Sequence, residues 1–256
     1  MDPLAILSGF VVGAIVGLTG VGGGSLMTPL LIGVFKLNPA VAIGTDLWFA
    51  AITKSGGAWS HHRLGHVDAR VAALMLAGSL PATLAMIAWM HASDSRPAWN
   101  HALTIALGLA LLLTAVAVAY RQAWVSLGKK LEPLLPPRRR DALTVAAGAT
   151  LGVLVSLSSI GAGALGATML LLLYPRLSPQ RIVGTDIAHA VPLTLVAGIG
   201  HATLGHVDWS LLAMLLVGSL PGIWLGSRLT RSLPDPWVRS ALCLSLTVAG
   251  LKVLTR

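Results

Sequence analysis

The residues of this chain that could do chemistry lie inside apolar sequence. Lys54 falls deep within an apolar run from Ala40 to Ser60, where reaching either edge would strain its side chain. An ionisable residue so placed marks a functional site by default, because an ammonium away from water needs a partner. It could balance a bound anion, or pair with Asp46, eight residues earlier, or with Asp186. Asp46 and Asp186 each follow Gly-Thr at the entry to an apolar run. That position suits a helix N-cap or a proton relay. His189 stands three residues after Asp186, on the same helical face. The two could titrate near neutral pH and relay a proton, or simply share a packed hydrogen bond.

Two glycine-rich clusters complete the set: Gly20-Val21-Gly22-Gly23-Gly24-Ser25 and Ser158-Ser159-Ile160-Gly161-Ala162-Gly163. Helices break at such clusters, and inside lipid the freed backbone groups must find protein, water or ligand. A half-helix starting just beyond the break aims free N–H groups and its positive dipole end inward, which suits an oxyanion. Gly22, Gly23, Gly24, Gly161 and Gly163 would let an anion approach the backbone, and Ser25, Ser158 and Ser159 could donate hydrogen bonds. The same glycines could instead serve only close helix packing, a role that suits Gly9, Gly13 and Gly17 well. Asp68 and Asp208 follow Gly-His-Val and precede apolar runs, so they read as N-caps. His61 and His201 stand near the ends of runs, where an interfacial position is expected.

Enzyme chemistry is poorly supplied. Gly24-Ser25-Leu26 lacks the glycine that follows a nucleophilic serine in hydrolase elbows, and there is no HExxH motif. The glycine clusters carry no carboxylate for intramembrane aspartyl chemistry, and too few acidic residues lie in the apolar runs for a metal cluster. Cys243, the single cysteine, excludes an intrachain disulfide, a CxxC pair and a cysteine-based metal site. No enzyme activity, cofactor or metal is expected. The formal charge of +9 does not point to nucleic acid, because the basic residues occupy short loops rather than one face of a helix.

The elements that must hold these residues are membrane helices. The chain is 55% hydrophobic and only 11% charged, against about 25% charged in soluble domains. It is also internally duplicated. Gly44-Thr45-Asp46, Leu64-Gly65-His66-Val67-Asp68 and Gly78-Ser79-Leu80-Pro81 recur at Gly184-Thr185-Asp186, Leu204-Gly205-His206-Val207-Asp208 and Gly218-Ser219-Leu220-Pro221. Every pair has one spacing, 140 residues, and Val21-Gly22-Gly23-Gly24 matches Ile160-Gly161-Ala162-Gly163 with one residue fewer. The halves are 1–127 and 141–256, joined by a polar, Pro-rich linker at 128–140. Each begins with a glycine-centred apolar region (roughly 4–36 and 142–174) followed by three spans of membrane length. The second arm of each region, Ser25 to Phe35 or Ala164 to Tyr174, rises only about 16 Å, too short for a hydrocarbon core of about 30 Å.

Loop charge fixes the expected orientation. If each glycine-centred region crosses an even number of times, Lys and Arg divide 13 to 4 between the two sides; a single crossing gives 10 to 7. The positive-inside rule favours the first arrangement. An even number plus three spans is odd, so the second half enters upside down. The expected fold is therefore an all-α polytopic membrane protein of two inverted repeats, each a glycine-tipped helical hairpin plus three transmembrane helices. Two short full crossings would give the same parity as a re-entrant hairpin. The linker 128–140 would be cytoplasmic and both termini outside. Met1-Asp2-Pro3 lacks a basic leader region, so no cleaved signal peptide is expected.

Gly17-Leu18-Thr19-Gly20-Val21-Gly22-Gly23-Gly24, Leu37-Asn38-Pro39 and Ala42-Ile43-Gly44-Thr45-Asp46 resemble the sulfite exporter TauE/SafE family. So do Gly65-His66-Val67-Asp68, Gly78-Ser79-Leu80-Pro81 and the second-half echoes, and the likeness covers nearly the whole chain. It implies a bacterial inner-membrane permease for sulfite, sulfonate, thiosulfate or another sulfur-containing anion. The second glycine cluster departs from the pattern, with Ala162 at its centre and Ser158-Ser159 before it. The expectation is a secondary anion transporter working by alternating access between its halves, with the lipid bilayer and a small anion as partners; a homo-oligomer is compatible. Proton coupling would fall to Asp46, Asp186 and His189. A non-transporting assembly factor or receptor is the rival, and it would require partner-binding loops or a soluble domain.

Overall fold

The computed structural model describes residues 2–19, 24–93, 96–229 and 235–255. Eleven α-helices form it among the described residues: α1 (Pro3–Thr19), α2 (Gly24–Gly33), α3 (Pro39–Arg63), α4 (Ala69–Ala92), α5 (Arg96–Ala119), α6 (Arg121–Leu131), α7 (Pro137–Ser158), α8 (Ala164–Leu173), α9 (Pro179–Thr203), α10 (Trp209–Leu229) and α11 (Asp235–Leu254). Five of the described helices, α4, α5, α7, α9 and α10, are long and apolar enough to cross a membrane. With 25 residues α3 is as long as α9, but Asp46, Lys54 and the basic end His61-His62-Arg63 lower its hydropathy. Large apolar side chains such as Leu84, Trp89, Leu109, Leu113, Trp224 and Leu244 face outward, which suits contact with lipid tails.

Contacts between the halves are reciprocal. α1 packs along α10 while α7 packs along α4, and α3 pairs with α9 as α5 pairs with α11. Glycines set the approach of the first two pairs. A Cβ added at Gly9 or Gly13 would meet the backbone of Leu215 or Ser219; one added at Gly148 or Gly152 would meet that of Met75 or Ser79. These are the small-residue stripes that membrane helices use for dense packing when no hydrophobic force separates protein from lipid.

The short helices fulfil the length argument. α2 and α8 have ten residues each, and α8 folds back along α7. Tyr174, the residue after α8, has its hydroxyl 2.9 Å from Thr144 Oγ1, and the Arg140 guanidinium lies 4.9 Å from its ring centroid. Tyr174 thus lies beside the first half of α7. The reversal is made at Ser159 (φ 58°), Gly161 (φ 123°) and Gly163 (φ 145°), backbone conformations that L side chains rarely adopt. The polar connection between the halves is more ordered than its composition suggests. Its start ends the amphipathic helix α6, Glu132–Leu134 form one 3₁₀ turn, and Pro137 already opens α7.

Candidate functional site

The repeated Gly-Thr-Asp segment divides three tasks among three residues. Gly44 and Gly184 lie one turn or more inside α3 and α9, where a Cβ would strike the carbonyl of His206 or His66 from the other half. Thr45 Oγ1 accepts from the backbone N–H of Asp208 at 3.0 Å, and Thr185 Oγ1 accepts from that of Asp68 at 2.9 Å. The start of α3 therefore meets the end of α9 and vice versa, so the two helices run antiparallel. Asp46 and Asp186 then face the interior, 0% and 3% exposed.

These aspartates are not N-caps, contrary to one reading of the sequence. The caps are Asn38, which accepts from Val41 N–H, and Ser178, which accepts from Arg181 N–H. Starting the helices that early carries both carboxyls about two turns inward. Asp68 does cap α4, accepting from Val71 N–H at 3.2 Å, and Asp208 accepts from Leu211 N–H at 2.9 Å.

Around the aspartates the structure assembles one buried polar cluster. Lys54, 7% exposed, donates from Nζ to the carbonyl of Ala162 in the α7–α8 turn. It lies within electrostatic reach of Asp46, Asp186 and His189, yet neither carboxylate is within ion-pair distance: the three described salt bridges all lie elsewhere. Thr28 of α2 donates its hydroxyl to Asp46 Oδ2, while Asp46 Oδ1, Asp186 Oδ1 and Ser159 Oγ have no hydrogen-bond partner. Ser159 faces Asp46. Asp186 Oδ1 sits against Gly166 in the first turn of α8, where a Cβ would occupy the same space. A buried polar atom without a partner is costly, and here several lie at one place. The start of α8 has no side-chain cap. Gly166 N–H donates to Gly161 O at 3.0 Å and Ala167 N–H to Gly163 O at 2.8 Å, so only the N–H groups of Ala164 and Leu165 are left to add donors to the same region.

The candidate residues separate under this geometry. Lys54, Asp46, Asp186, Ser159 and the Gly161–Gly163 turn come together. Ser158 turns back on its own helix, donating to Leu154 O at 2.6 Å and accepting from Ile160 N–H at 3.2 Å; it shapes the turn. His189 does not hydrogen-bond to Asp186; its Nε2 lies 3.0 Å from Ser79 Oγ of α4. His201 is buried rather than interfacial, its Nε2 2.9 Å from Ser156 O. Gly22 and Gly23 lie outside the described residues, and of Gly24 and Ser25 only the helical backbone is described. Thr28 and Ser79 are additions that the sequence reading missed. Ser79 stood in a repeated motif, Gly78-Ser79-Leu80-Pro81, but Thr28 carried no signal. Among the described residues no group of three or more His, Cys, Asp or Glu could hold a metal ion.

Apolar helices wrapped around a buried, charged and incompletely hydrogen-bonded centre define a class, and known relatives agree with it: this is a multi-pass membrane transporter. The profile described as Sulfite exporter TauE/SafE matches residues 5–253. The chain is 40% identical to "Probable membrane transporter protein YjnA" of Bacillus subtilis (strain 168), over 99% of this chain and 100% of that protein. It is 30% identical to "Probable membrane transporter protein YdhB" of the same organism, over 98% and 99% of the two chains. A "Probable membrane transporter protein" of Xylella fastidiosa (strain 9a5c) is 27% identical over 88% of this chain and 84% of that one. No solved structure matches significantly. The chain belongs to the sulfite exporter TauE/SafE family.

Proposed function

We propose that the protein is a secondary transporter of a small sulfur-containing anion, of the sulfite, sulfonate or thiosulfate class, in a bacterial inner membrane. The observation that carries this is Lys54, a buried ammonium facing two carboxyls with which it forms no ion pair. The anion would lie between Lys54, Ser159 and the uncapped start of α8; the backbone of Gly24 and the hydroxyl of Ser25 would serve from the first half, together with Gly22 and Gly23. The family's description names sulfite, which supports the substrate class.

Charge arithmetic supports proton coupling. One cation and two carboxylates sum to a single negative charge, and an incoming anion would double it inside a medium that screens poorly. Taking up a proton at Asp46 or Asp186 would restore the balance, with His189, held by Ser79 on the same helix as Asp186, as a further candidate to carry one. Anion and proton would then travel together.

The halves would be inverted repeats of one hairpin and three spans, with boundaries at 1–127 and 141–256. The antiparallel α3–α9 pair and the return of α8 to the start of α7 support that reading. Rocking of one half against the other would expose the cluster to each side in turn. The linker 128–140 would face the cytoplasm, with most Lys and Arg. Purified protein in liposomes, assayed for flux of sulfite, thiosulfate, sulfoacetate and taurine with and without a pH gradient, tests the reading. Flux of at least one anion, faster with protons moving the same way, is expected. Absence of flux for every small anion overturns it.

A further inference from the structure

At the opposite end of α3 from Asn38, three arginines are each matched by one carboxylate. Arg70 pairs with Asp141 at 2.6 Å, Arg176 with Glu132 at 2.8 Å and Arg181 with Asp68 at 3.1 Å. Of these residues Asp68, Arg70, Glu132 and Arg176 line a cleft of about 370 Å³, within the range of about 300–1,000 Å³ that holds small ligands. A fourth arginine, Arg140, lines the same cleft and has no carboxylate within ion-pair distance among the described residues. Its guanidinium lies over the Tyr174 ring, 4.9 Å from the centroid, and its Nε is buried without a hydrogen-bond partner. The cluster is one anion short.

Arg176 engages Glu132 through Nε and Arg70 engages Asp141 through one Nη, so each retains further N–H donors. The first turns of α4 and α7, which carry Arg70 and Arg140, border the cleft with their positive dipole ends. Planar guanidinium groups fit a tetrahedral phosphate oxyanion better than a point charge does. We propose that this cleft is a binding site for a phosphate group, held by Arg140 with Arg70 and Arg176 and separate from the Lys54 cluster. A free phosphate and the headgroup of an anionic phospholipid share that chemistry.

The test uses the full chain, purified in neutral detergent or reconstituted in phosphatidylcholine nanodiscs, with thermal unfolding as readout. One arm titrates inorganic phosphate against chloride at matched ionic strength; the other replaces phosphatidylcholine with phosphatidylglycerol. A rise in unfolding temperature in the first arm assigns a soluble phosphate, and a rise only in the second assigns the lipid. In either case Arg140→Gln is expected to weaken the response about tenfold, whereas Arg139→Gln, in the same helical turn and exposed, leaves it intact. Glu132→Gln, which frees Arg176, is expected to strengthen it and does not depend on Arg140→Gln folding. The proposal fails if neither arm responds, or if Arg139→Gln and Arg140→Gln weaken the response equally. It also fails if Lys54→Gln removes the response while Arg140→Gln keeps it, because the phosphate then sits in the central cluster.

Discussion

The two Gly-Thr-Asp segments occupy matching frames and face different chemistry. In both, glycine admits a histidine carbonyl from the other half, threonine receives an aspartate N–H, and the carboxyl points inward. The linings then diverge. Asp46 accepts from Thr28, and eight residues further on the helix carries Lys54. Asp186 lies against the bare Gly166, its helix carries Thr194 where α3 has Lys54, and His189 where α3 has Phe49. The repeated segments share one scaffold and differ at a handful of inward positions, Lys54 against Thr194 among them. The symmetrical features join the halves; the asymmetrical ones are where the proposed anion site lies.

The sharpest way to break that comparison is Lys54→Ala. Loss of the only cation in the cluster is expected to lower anion flux about 100-fold or more, measured in proteoliposomes, while Thr194→Ala at the matching position changes it less than about threefold. Unchanged flux in Lys54→Ala would show that the cationic side is not where the anion binds. The frame makes the opposite prediction, equality. Gly44→Leu and Gly184→Leu both drive a side chain into the other half's backbone, and each is expected to cost about 3 kcal/mol or more, read as similar falls in unfolding temperature. A large difference between them would mean that the halves are not held alike.

Smaller effects sharpen the same contrast. Thr28→Val removes the hydroxyl on Asp46 and is expected to cost about 1–3 kcal/mol and to slow flux, with no counterpart at Asp186 to lose. Removing the caps by Asp68→Ala or Asp208→Ala is expected to cost about 1 kcal/mol each. Asp68→Ala should exceed its partner by less than about 1 kcal/mol, the worth of the exposed Arg181 pair it also loses. Thermal unfolding of the two variants side by side checks the difference.

Much of the frame was legible because duplication writes it twice. Asp68 and Asp208 were readable as caps from their place before apolar runs, and the short arms α2 and α8 from length alone. The placement of Asp46 and Asp186 was not, because Asn38 and Ser178 start the helices earlier than the Gly-Thr motif suggests. Period 3.6 brought His189 to the same face as Asp186, yet the geometry gave it to Ser79, a residue 110 positions away. Such choices are made by packing between distant helices, and a single sequence carries no trace of them. Thr28 was invisible for the same reason, being one more hydroxyl in an apolar helix until α2 is laid beside α3.

The crossed hydrogen bonds at Thr45 and Thr185 bear on how the chain is made. The N–H of Asp68 finds its acceptor 117 residues later in the sequence, so the start of α4 stays unfinished until α9 has left the ribosome and entered the bilayer. The first half by itself therefore lacks the acceptor for this N–H. Halves made as separate chains would each lack one of these acceptors until they met.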